Sequence, residues 1–148
     1  MVKVSDVEIR DEYITLDVNT KVVDGAKACK EKGVKYIVVL EGDEIKGVAT
    51  ASDFACKVVA EENLDKTLGD IMSSPAVVCD VNDDVEDVAK KMYENDYSVL
   101  PVVSDKELKG VITAKDVIYA LAEEHIPEEK KKIVVMALRP ALHGVRLG

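Results

Sequence analysis

The chain has 148 residues, 47% hydrophobic and 33% charged, with 20 Lys or Arg against 29 Asp or Glu and a net charge of −9. A chain of this size buries roughly two-thirds of the surface its unfolded form exposes, enough to fold without disulfides or a structural metal, and its apolar content excludes a largely disordered state. The acidic balance excludes indiscriminate binding to nucleic acid or to an anionic membrane surface, both of which need a basic face, but leaves room for a small anion held by a few local groups.

Met1–Arg10 interleaves Lys3, Asp6, Glu8 and Arg10 where a secretory leader would be apolar. The longest apolar runs, Tyr36–Leu40 and Ile133–Leu138, fall far short of the ~20 residues of a bilayer-crossing helix. A cytoplasmic protein with no membrane partner is expected. The first predicted element is a short extended segment, Ile14–Leu16. A helix follows, with Val22, Ala26 and Cys29 at helical spacing. Then come a β-rich run at Tyr36–Leu40, a polar turn at Gly42-Asp43 and a second strand at Ile45–Ala49, a hairpin pattern. A closing helix begins near Ser52, and Asn63–Thr67 reads as a linker.

The same series then repeats. Shifted by 63 residues, Tyr13–Glu61 lies on Ala76–Glu124 without a gap, and Ile45–Asp53 falls on Leu108–Asp116. The second copy is predicted to have an extended segment at Val77–Cys79, a helix carrying Val85, Val88, Ala89 and Met92, strands at Val99–Val103 and Leu108–Ile112 around Asp105-Lys106, and a helix from about Lys115. Asp83 and Glu86, three apart, form a capping-box pattern at the start of its first helix. The chain divides into repeats at 1–62 and 63–124 and a tail at 125–148, where Glu128-Glu129 ahead of Lys130-Lys131-Lys132 suits a helix running to about Leu138 and broken by Pro140. The tail carries five Lys or Arg against two Glu, a local net charge of +3.

Two β-α-β-β-α units, each closed by Gly-h-h-Thr-x-x-Asp (Gly47–Asp53 and Gly110–Asp116), resemble the cystathionine β-synthase (CBS) domain. In tandem they resemble the stand-alone CBS pair, or Bateman module. Ser98–Val103 and Asp70–Pro75 carry further resemblance in the second copy. The first copy has Lys35 and Val38 where the second has Ser98 and Pro101, and Val7–Asp11 lacks the Met-Ser signature of Asp70–Ser73. The resemblance implies a mixed α/β (α+β) fold of two repeats packed about a pseudo-twofold axis, plus the helical tail. It also implies two unequal clefts for adenosine nucleotides, AMP, ADP or ATP. One would take Thr113, Asp116, Val111 and Lys115 with Ile14, Val34 and Lys35. The other would take Thr50, Asp53, Val48 and Ser73 with Val77, Tyr97 and Ser98.

The residue types suit that ligand. A carboxylate can accept both ribose hydroxyls, Thr hydroxyls and helix N-terminal N–H groups favour phosphate, and Lys35 and Lys115 would add positive charge to the first cleft. Thr-x-x-Asp ahead of an apolar helix is equally a capping box, and one side chain can serve both roles. The resemblance further implies a regulatory, non-enzymatic sensor, a homodimer formed through apolar helix faces, and a regulated protein partner. The alternatives are a ligand-free adaptor, or a module for S-adenosylmethionine or a metal ion. No catalytic set, cofactor motif or metal-ligand spacing appears, and the histidines, His125 and His143, lie outside the repeat. Cys29, Cys56 and Cys79 align with Met92, Tyr119 and Leu16 and are expected to be packed core thiols rather than redox groups.

Overall fold

The computed structural model describes residues 2–138 as two compact units, one of Asp11–Val78 and one of Met1–Arg10 with Cys79 onward. Pro140 and His143 lie outside the described residues. In the Asp11–Val78 unit, β1 (Tyr13–Asp17) pairs in parallel with β2 (Tyr36–Glu41), which pairs antiparallel with β3 (Glu44–Ala49). The parallel step is made by α1 (Val22–Lys32), which ends at Gly33 in a left-handed cap. After β3 comes α2 (Ala51–Phe54), which continues as π-helical turns over Ala55–Val59. A short helix, α3 (Leu68–Ile71), closes the unit. Val22, Ile37, Val39, Ala49, Val58, Leu68 and Ile71 form the buried cluster, with Ile14, Leu16, Phe54 and Met72 packed against it.

The other unit repeats the plan. Its sheet runs β4 (Cys79–Asp80), β5 (Val99–Ser104), β6 (Glu107–Thr113), with α4 (Val85–Asn95) after β4 and α5 (Ala114–His125) after β6. The 63-residue repeat survives in detail. Ile37↔Ala49 has its counterpart in Leu100↔Ile112, and the hairpin bulge at Val39/Leu40 recurs at Val102/Val103. The tail forms α6 (Glu128–Leu138), a helix at the place the sequence predicts. No described helix is long and apolar enough to cross a membrane.

The structure departs from the sequence reading at β4, at Ala26, which is exposed while Gly25 is buried in its stead, at the N-cap of α4 and at Cys56. β4 is shorter than its counterpart and leaves Val77 outside the ladder. Pro101 stands in β5 where β2 has Val38, and it brings no N–H to that stretch of ladder. The N-cap of α4 is Asp84, not Asp83. The Asp83 carboxylate turns back to accept from the Asp80 backbone N–H at 2.9 Å and faces Lys91 at 3.4 Å. Cys56 is exposed rather than packed, because the π-helical turns bury Val58 in its stead, while Cys79 is buried and Cys29 half-buried.

In each unit the segment preceding the other copy in sequence lies along the hairpin. Ser73 bridges to Val48 in one unit, and Arg10 bridges to Val111 in the other. The neighbouring glycines are required by that approach. A Cβ on Gly47 would land on the Ser73 carbonyl oxygen, and one on Gly110 would sit 2.5 Å from the Arg10 carbonyl oxygen. Neither oxygen is the free end of a side chain, so the strand or the segment would have to move. Gly110→Ala and Gly47→Ala are each expected to cost about 1–3 kcal/mol and to lower the melting temperature by several degrees. An unchanged melt would contradict the close approach. Burial pushes the Cys79 thiol up to about 12 and raises Cys29 as well. A thiol reagent at neutral pH should therefore label Cys56 first and Cys79 only on unfolding. Equal labelling rates at Cys56 and Cys79 would contradict the packing.

Candidate functional site

Each unit presents an acid at the same point, the third residue of the helix that follows the hairpin. Strand β3 hands the chain to α2 through Thr50, and β6 hands it to α5 through Thr113, both in extended conformation. Asp53 Oδ2 accepts from the Thr50 backbone N–H at 2.9 Å and from its hydroxyl at 3.2 Å. Asp116 Oδ2 accepts from the Thr113 N–H and hydroxyl, both at 2.8 Å, and the Asp116 N–H donates to Thr113 Oγ1 at 3.3 Å. The capping role is thus realised in both copies. It uses Oδ2 in each copy, and a cation takes Oδ1, sharing Oδ2 as well at Asp116.

The cations differ in kind and origin. Asp53 Oδ1 meets Lys57 Nζ at 2.9 Å, one turn further along the helix. The same ammonium donates to the Ile71 carbonyl at 2.9 Å, and the lysine side chain is 44% exposed. Asp116 meets Arg10, 106 residues away in sequence. Arg10 Nε reaches Oδ1 at 3.0 Å and Oδ2 at 2.9 Å, and Nη2 reaches Oδ1 at 2.8 Å. The two side chains are only 6% and 3% exposed. Arg10 is also fixed through its backbone, which exchanges two 3.0 Å hydrogen bonds with Val111. By the 63-residue repeat, Arg10 stands where Ser73 does, and Ala120 where Lys57 does. Ser73 has no charge to offer its acid, and its hydroxyl donates to the Val48 carbonyl at 3.1 Å.

Where Ala120 replaces a lysine, the chain leaves a pocket of about 330 Å³ lined by Val2, Asp6, Val7, Glu8, Asp116, Tyr119, Ala120 and Glu123. Burial raises Tyr119 above the usual phenol range, and the neighbouring Glu123 adds to the effect. With Asp6, Glu8 and Glu123 on its wall, this pocket opposes a phosphate.

The remaining expected residues divide by unit. Val48, Thr50, Asp53, Ser73 and Val77 lie in the Asp11–Val78 unit, as do Ile14, Val34 and Lys35. Val111, Thr113, Lys115 and Asp116 lie in the other unit with Tyr97 and Ser98. Lys35, Lys115 and Ser98 are exposed, while Ile14, Val34, Val77 and Tyr97 are half-buried. Arg10 and Lys57 were missed by the sequence reading. The signal was available, because placing Lys57 over Ala120 and Arg10 over Ser73 shows a cation changing position between the copies. Among the described residues no group of three or more His, Cys, Asp or Glu is placed to hold a metal ion.

Comparison with known proteins finds the CBS domain twice, at residues 4–59 and 68–123. Protein MK0525 of Methanopyrus kandleri is 33% identical over 88% of this chain and 69% of its own length. A homoserine O-acetyltransferase of Methanobrevibacter ruminantium is 31% identical over 77% of this chain, which spans only 23% of that enzyme. Among solved structures, the CBS domain pair of protein MJ0100, in complex with 5′-methylthioadenosine and S-adenosyl-L-methionine, covers 84% of this chain, itself matched over 98%, with a TM-score of 0.70 and 24% identity.

Proposed function

This chain belongs to the CBS-domain family, with two copies in tandem, and we propose on that footing that it is a regulatory module that binds an adenosine-containing ligand through the acid of its first copy, Asp53. It acts by binding rather than by catalysis, and the acetyltransferase match, confined to 23% of that enzyme, brings no chemistry to this chain. The observation that carries the reading is the state of the Asp53 carboxylate. Its Oδ2 is fixed by Thr50, while its Oδ1 is held by Lys57, a half-exposed lysine on a long flexible stem. A ribose can take Oδ1 through its hydroxyls, a charge-assisted contact, as Lys57 swings toward solvent.

Lys57 also sets the ligand preference. Released from the carboxylate, its ammonium stands ready for a phosphate, so AMP, ADP or ATP is favoured over an uncharged nucleoside. S-Adenosylmethionine, held by the CBS pair of MJ0100, is the second candidate. Its sulfonium charge would be repelled by Lys57, which ranks it below a nucleotide at this acid. This ranking departs from the sequence expectation, in which Lys35 and Lys115 directed phosphate toward Asp116. The module is proposed to work in the cytoplasm, as a homodimer, on a protein partner. Tyr93 on α4 and Ile118 on α5, 88% and 51% exposed, are apolar groups that a second copy would cover.

Two measurements test this reading. Calorimetric titration should show AMP binding that falls roughly ten- to a hundredfold, or about 1.5–3 kcal/mol, in Asp53→Asn, and that weakens with added salt. Asparagine still caps a helix, so the melt without ligand should change by about 1 kcal/mol or less. A destabilised variant with unchanged affinity would return Asp53 to capping alone. Light scattering at micromolar concentration should give a dimer, and Tyr93→Glu with Ile118→Glu should give a monomer. A monomeric wild type would contradict the helix-face pairing.

A further inference from the structure

We propose that Arg10 closes the second copy's acid to ligand, so that the module takes one adenosine ligand per chain, at Asp53, although it carries two copies of the motif. The inference rests on the reading of Asp53 given above and adds to it what happens at Asp116. Asp116 accepts five hydrogen bonds on two oxygens, three from the Arg10 fork and two from Thr113. A carboxylate offers about four lone-pair positions, so none is left for a ribose hydroxyl. A ribose would have to evict the guanidinium, and the eviction would leave Arg10 charged and buried without its carboxylate. The backbone of Arg10 cannot easily carry the side chain away, because both its N–H and its carbonyl are tied to Val111 in β6.

Nothing comparable holds at Asp53. Its cation is a single ammonium on a half-exposed side chain, held otherwise only by the Ile71 carbonyl, and its stem can turn aside toward water. Each copy therefore neutralises its acid once, with a displaceable cation in one case and a buried fork in the other. The paired replacements, Ser73 and Lys57 against Arg10 and Ala120, are the whole difference in counter-charge. The pocket beside Ala120 and Asp116 has the volume for a lysine chain at position 120, so the first copy's arrangement can be grafted onto the second.

The test is calorimetric titration with AMP of the wild type, of Asp53→Asn and of the graft Arg10→Ser with Ala120→Lys, each checked by circular dichroism and a melt. The expected stoichiometry is one AMP per wild-type chain, with affinity at least tenfold weaker in Asp53→Asn. The folded graft should take two, and adding Asp116→Asn to it should remove the second. Two AMP per wild-type chain, or a full-strength site surviving in Asp53→Asn, would overturn the Arg10 assignment, and neither result needs the graft to fold. A folded graft that still binds one would overturn it as well. Absence of AMP binding in both wild type and graft would remove the Asp53 reading itself and this inference with it. Two sites in the wild type that both depend on their acids would instead leave that reading standing.

Discussion

A carboxylate fixed at the third residue of a helix by bonds to the residue before the helix cannot also be sunk beneath a strand end without a cation beside it. The desolvation of an unpaired charge at such a place costs several kcal/mol. This chain meets that constraint twice. At Asp53 the acid is half-buried and the cation is Lys57, supplied locally. At Asp116 the acid is fully buried, and a local lysine is replaced by an arginine from the far end of the sequence, which binds the carboxylate in two-pronged fashion. The forked, weakly hydrated guanidinium suits the dry site, and the hydrated ammonium suits the wetter one.

That choice reaches into the fold. Met1–Arg10 folds with residues from Cys79 onward, as Leu68–Ser73 folds with the residues before it. In both units the incoming segment reaches the same place on a hairpin, beside a glycine whose missing side chain admits it. In the Asp11–Val78 unit the segment contributes apolar packing through Leu68 and Ile71 and a neutral hydroxyl from Ser73. In the other it contributes Val4 to the core and Arg10 to the acid. Breaking a buried pair of that kind by removing one partner typically costs about 3–5 kcal/mol, so the second unit's stability and its closed acid share one cause.

Much of this was legible from residue order. The 63-residue repeat gave the element series, and the helices α1 and α4 and the strands β2 and β5 fall one repeat apart. Apolar periodicity placed Val22, Val85, Val88 and Met92 in the cores but not Ala26, which is exposed, and the Glu-then-Lys tail gave α6. What periodicity could not reveal was which side chain neutralises which acid. Lys57 looks like any solvated lysine on a helix, and Arg10 lies 106 residues from its partner. Cys56 was misplaced for a different reason: the π-helical turns rotate its side chain outward, a local change of winding that a pattern of 3.6 residues per turn does not contain. Asp83 was misassigned because an acid two residues ahead of a helix can close a turn as readily as cap it.

The central claim is that one motif, duplicated, became an open acid and a closed one through the cation assigned to each. The most direct measurement is a crystal structure of the chain grown with AMP. The account predicts ribose hydroxyls within hydrogen-bonding distance of Asp53, Lys57 turned off the carboxylate, and the Arg10–Asp116 pair intact. Ribose density on Asp116 with Arg10 turned away would contradict it.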